Sequence, residues 1–119
     1  MDIKLISQSI PIDQVARMAK QQFGELIKAT VDVRKKSLAL GGDLHADEEQ
    51  LLLENGSAQK DLWGVNLYPA KFGTPDFVEF DSMINIRPSQ GNKSRGVEDD
   101  GVRQQIREVI DQLIIKEDV

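Results

Sequence analysis

A chain of 119 residues, 39% hydrophobic and 29% charged, has the size and balance of one globular domain with enough apolar residues for a core. It has no cysteine, which excludes disulfides, thiolate metal sites and a cysteine nucleophile. Its formal net charge of −5 disfavours non-specific nucleic-acid binding, and no apolar run approaches the ~18 residues of a membrane span. Met1-Asp2-Ile3-Lys4 lacks the cationic start and long apolar stretch of a signal peptide, so the expectation is a soluble, cytoplasmic protein, one α+β domain over residues 1–119.

Ile3 to Ile6 reads as a first strand. Pro11 suits the first turn of a helix and Asp13 its N-cap, while Ile12, Val15, Ala16, Ala19 and Phe23 form a helical stripe that Gly24 ends. Leu26 to Gly42 reads as a hairpin: Ile27, Ala29, Val31 and Val33 alternate with Lys28, Thr30, Asp32 and Arg34, and Leu38 and Leu40 lie on the return strand. Asp47 and Gln50 resemble a capping box for a short helix through Leu51, Leu52 and Leu53, closed by Asn55-Gly56. Leu62 to Tyr68 alternates as a strand with Trp63, Val65 and Leu67 on one face, followed by a loop from Pro69 to Asp76.

Phe77 to Gly96 is the stretch around which the chain is organised. Val78, Phe80, Ile84 and Ile86 alternate with Glu79, Asp81, Met83, Asn85 and Arg87, which predicts a central strand that Pro88 stops. A polar loop follows, residues 87–96, with three cations (Arg87, Lys93, Arg95) and no acid. The last helix repeats Val102, Ile106, Val109, Ile110, Leu113 and Ile114 at spacings of three and four, with Asp99 or Asp100 as cap and Lys116 to Val119 as a frayed tail. The order is β-α-β-β-α-β-β-α. It predicts a single, mostly antiparallel sheet of about five strands with helices packed on one face.

The strings Gly-Gly-Asp-Leu-His-Ala-Asp at 41–47, Leu-Leu-Glu-Asn-Gly-Ser at 52–57, Asp-Leu-Trp-Gly-Val-Asn-Leu-Tyr-Pro at 61–69 and the segment from Glu79 to Asp99 cover much of the chain. Through them it resembles a family of small bacterial proteins of unknown function. That resemblance implies no activity, no cofactor and no residue role.

The residues themselves point to three functions. The first is a non-enzymatic binding module for a small anionic or phosphate-bearing ligand. It uses the small residues and cations of loop 87–96, with Arg87, Lys93 and Arg95 assisted by Asn85, Asn66 and Tyr68. The spacing does not match a Walker loop. The structural alternative ties Arg87 or Arg95 to Asp81. The second is a homo-oligomeric interaction protein using a polar sheet face centred on Met83 and Tyr68. The third is a Mg²⁺-dependent phosphoryl-transfer enzyme with Asp32, Glu79 and Asp81 around the ion. His45, the single histidine, lacks a second histidine at metal-binding spacing and is expected to make a structural hydrogen bond. Ser82, Ser89 and Ser94 lack a nucleophile-elbow context.

Overall fold

The computed structural model describes residues 2–116. In chain order the elements are β1 (Lys4–Ile6), β2 (Ile10–Pro11), α1 (Ile12–Gln22), β3 (Ile27–Asp32), β4 (Ser37–Leu40), α2 (His45–Glu54), β5 (Leu62–Leu67), β6 (Val78–Glu79), α3 (Asp100–Leu113) and β7 (Ile114–Ile115), with short 3-10 turns between several of them. Five strands form one antiparallel sheet in the order β1-β4-β3-β5-β6. The α+β class and the five-stranded sheet are those expected from the alternation.

Strand alternation sends Ile27, Ala29, Val31, Trp63, Val65 and Leu67 to one face, where Val15 and Ala19 of α1 and Ile106, Val109, Ile110 and Leu113 of α3 complete the main core. The short helix differs from the expectation. α2 lies on the opposite face, over a small second core of Ala39, Leu52 and Leu62. The three consecutive leucines explain this. Run together they make no stripe, so only Leu52 is buried while Leu53 stays 37% exposed. Polar contacts supply the rest of the docking: Thr30 Oγ1 donates to Glu48 Oε1 at 2.9 Å, and Glu48 Oε2 accepts from Gly42 N at 2.9 Å. The polar sheet face nominated for self-association is therefore covered in part by α2.

The expected central strand over 77–87 is corrected most. Only Val78–Glu79 pairs, as the edge strand β6, and the chain then leaves the sheet through turns at Met83–Asn85 and Pro88–Gln90. Ser82 starts the departure: its Oγ accepts from Ile84 N at 3.2 Å, a local bond that competes with ladder pairing. Helix starts shift as well. Pro11 rather than Asp13 occupies the N-cap position of α1, and α2 begins at His45, which places Asp47 and Gln50 inside the helix. Asp99 caps α3 as expected, its Oδ1 accepting from Val102 N at 3.1 Å. Ile114, read from sequence as the end of the helical stripe, instead leaves α3 and pairs in parallel with Ile10. Of the expected frayed tail, residues 117–119 lie outside the described residues.

Candidate functional site

Loop 87–96 is built to hold itself together. The Arg87 guanidinium sits 4.1 Å from the Trp63 ring centroid and donates to the carbonyls of Gln59 and Leu62. It is 8% exposed, and burial lowers its pKa. Asn92 Nδ2 faces the carbonyls of Asn85 (2.7 Å), Ser94 (3.1 Å) and Gly96 (2.8 Å), while its Oδ1 accepts from Glu98 N. The loop amides expected to approach a ligand oxyanion already meet one. Lys93 N and Ser94 N donate to Glu98 Oε2 at 2.6 and 2.9 Å, which holds that carboxyl below the usual carboxylate range.

Asn85 is fully buried and belongs to the scaffold. Its Oδ1 accepts from Gly64 N at 2.8 Å, and its Nδ2 donates to Gly64 O and to Arg95 O, each at 2.9 Å. Gly64 permits this approach, since a Cβ there would lie 2.6 Å from Ser82 Oγ and 3.1 Å from His45 Cδ2. The start of α2 and the 81–85 segment thus close over β5 from two sides.

Between them lies a cleft of about 300 Å³, lined by Lys28, His45, Asn66, Asp81, Met83 and Arg95 among others. Lys28 and Asn66 face each other across the β3–β5 ladder, and Glu79 stands opposite Asn66 on β6. Arg95 Nε pairs with Asp81 Oδ1 at 2.7 Å, with both side chains substantially exposed, so the pair contributes little stability. No side chain caps the N-terminus of α2, whose first residues also line the cleft. His45 is 7% exposed, and its Nε2 lies 2.8 Å from Val65 O. Nε2 carries the proton donated to that carbonyl, which leaves Nδ1 as the acceptor. Burial lowers the His45 pKa to about 4, against the opposing pull of the Val65 bond, so the ring is neutral at pH 7.

Of the ligand-binding residues expected from sequence, the cleft gathers Asn66 and Arg95, beside Asp81, His45 and Met83, which the sequence suggests for other roles. Arg87 and Asn85 lie beneath, as supports. Lys93 is exposed and is not among the residues lining the cleft. Tyr68 donates to Glu79 Oε1 at 3.1 Å and borders a different groove of about 740 Å³, between α1 and Pro69–Lys71. The three carboxylates of the magnesium reading are not assembled. Asp32 pairs with Leu62, four residues along β5 from Asn66 and Glu79, or about 13 Å at ~3.3 Å per residue. It stabilises the hairpin turn instead, accepting from Arg34 N, Lys35 N and Ser57 Oγ. Among the described residues no group of three or more His, Asp or Glu side chains is placed to hold a metal ion.

In sequence Lys28 reads as one more solvent-facing residue of an alternating strand. Its importance comes from register, which places it opposite Asn66. Glu48 carried no signal either, being one acid in a run of acids.

Residues 4–113 match the family described as "Protein of unknown function (DUF5674)", and the chain belongs to that family. No curated protein and no solved structure matches it. Among the described residues no helix is long and apolar enough to cross a membrane.

Proposed function

For a member of a family to which no activity is attached, we propose a non-enzymatic binding module that takes a small anion in the cleft between α2 and residues 81–84. One observation carries the reading: Lys28, Arg95 and the uncapped start of α2 all line a space whose lining includes a single carboxylate, Asp81, in a chain that is acidic as a whole. The cation contributed by loop 87–96 is Arg95. Its carbonyl accepts from Ser82 N at 3.0 Å and from Asn85 Nδ2, which fixes the backbone that carries the guanidinium. An entering anion takes the place of Asp81 on Arg95, at little cost because that ion pair is exposed. The non-enzymatic part rests on the absence of an activated nucleophile. Ser82 Oγ is engaged by Ile84 N and His45 Nε2 by Val65 O, and among the described residues no hydrogen bond joins the two side chains.

Isothermal calorimetry with inorganic phosphate at pH 7 tests the reading. Binding should weaken steadily as salt is raised, because exposed charges are screened over ~10 Å at 0.1 M. It should disappear in the Lys28→Ala, Arg95→Ala double variant while Tm changes little. Undiminished binding in that variant, or none in the parent chain, overturns the reading.

A second reading, association of two copies, draws on Met83 and Leu44, which flank the cleft at 66% and 58% exposure. Sedimentation of the parent chain against Met83→Lys separates it from the first.

A further inference from the structure

The side chains around the cleft ask for more than negative charge. Asn66 is 7% exposed, and its Oδ1 is buried with no hydrogen-bond partner. Its amide cannot simply be turned over. Nδ2 lies 2.9 Å from Glu79 Oε1 and 3.4 Å from the Asp81 carbonyl, both of them acceptors, so the donor end of the amide must face that side. Oδ1 is therefore directed away from β6, toward the β3 side where Lys28 stands across the ladder. Lys28 does not satisfy it: Nζ sits instead 5.4 Å from the centre of the Phe23 ring. A buried acceptor without a donor is rare in folded proteins and marks a place where a partner belongs.

We infer that the anion this cleft takes also carries a neutral hydrogen-bond donor, which makes it a small hydroxy acid. This rests on the reading of the cleft as an anion site. Its acid group lies between Lys28, Arg95 and the start of α2, and its hydroxyl donates to Asn66 Oδ1. Position selects a hydroxyl over an ammonium: Oδ1 points to the side where Lys28 stands across the ladder, with Glu79 on the far side of the amide, so a second cation at Oδ1 would meet like charge. Size selects a small molecule, since about 300 Å³ is the lower end of the range for ligand pockets. Met83, Leu44 and Ile84 give the ligand carbon atoms an apolar wall.

The test is a titration of the full chain at pH 7 and constant ionic strength with sodium glycolate, sodium acetate, glycine and sodium phosphate. Binding is followed by calorimetry and by the amide resonances of Asn66, Ala46 and Arg95. Glycolate should bind at least about tenfold more tightly than acetate, the weight of one hydrogen bond to a buried group. Asn66→Leu, which also frees Glu79, should bring glycolate and acetate to equal affinity. If this variant fails to fold, the comparison of glycolate with acetate in the parent chain decides alone. Equal affinities for glycolate and acetate overturn this inference and leave the anion site standing. A preference that survives in Asn66→Leu, or glycine bound more tightly than glycolate, also overturns it. If none of the anions shifts the Ala46 and Arg95 resonances, the anion site falls, and this inference with it.

Discussion

Asn85→Leu should be among the most damaging single changes outside the apolar core. β6 reaches only as far as Glu79, opposite Asn66, so the outer edge of β5 at Gly64 has no neighbouring strand. The Asn85 side chain stands in for one, with its carbonyl oxygen and amide nitrogen meeting the N–H and C=O of Gly64 as a peptide group would. Leucine keeps the branched shape, with bulkier ends, and removes both partners. At roughly 1–3 kcal/mol for each buried backbone group stranded, the two groups of Gly64 cost about 2–6 kcal/mol. A domain is held folded by only ~5–15 kcal/mol. At about 4 °C per kcal/mol for a chain of this length, Tm falls by about 8–24 °C. Differential scanning calorimetry gives the total, and hydrogen exchange at the Gly64 amide locates it. A Tm within about 2 °C of the parent, with Gly64 still protected, would show that water or a shifted backbone replaces the amide and would refute the argument.

Arg87→Met should cost about 1–3 kcal/mol, since it deserts the Leu62 carbonyl while that of Gln59 keeps the Leu62 N–H, and should alter the fluorescence of Trp63, the single tryptophan. Changing Arg87 together with Lys93 and Arg95 would therefore test folding as much as binding. Ile106→Ala, at a site with no exposure, should cost ~2–5 kcal/mol in urea unfolding; a loss below half of the smaller figure would place Ile106 outside the core. His45 titrates near pH 4 in the folded chain against an ordinary 6.5, so the unfolded chain takes up the proton first as pH falls. Stability is then lost between about pH 6.5 and 4, by up to about 3 kcal/mol, and an imidazole NMR titration with a midpoint above 6 would contradict this. Glu48 has the opposite sign, because burial raises its pKa. Its contribution is complete below the ordinary carboxylate pKa and is lost as pH climbs through the raised one, so Glu48→Gln should gain on the parent with rising pH and match it near pH 4.

Elements held by apolar periodicity were legible in the sequence. α1, α3, the hairpin of β3 and β4, and β5 all follow from where the branched and large apolar residues fall. What escaped was set by hydrogen bonds at a distance. The segment after β6 alternates as well as a strand does, yet Ser82 and Asn85 tie it into turns, and no local pattern announces that Asn85 will dock on Gly64, twenty-one residues earlier. The face taken by α2 was hidden for the same reason, since Glu48 and His45 anchor it through Thr30, Gly42 and the Val65 carbonyl. The basic loop was visible as composition. That its three cations part company, one buried on Trp63, one exposed and one paired with Asp81, depends on the path of a backbone that Asn92 holds in place.

The pairing of β2 with β7 has a kinetic consequence. Ile10 meets Ile114 across 104 residues of chain, and only two residues on each side take part. Joining ends so far apart costs about 4 kcal/mol in the length-dependent part of chain entropy alone, which so small a contact cannot offset until the sheet and α3 have already brought the ends together. The latch must then close after the folding barrier has been crossed. Weakening it would leave the folding rate almost untouched and would appear as faster unfolding, so that the lifetime of the folded protein is set partly at its two ends.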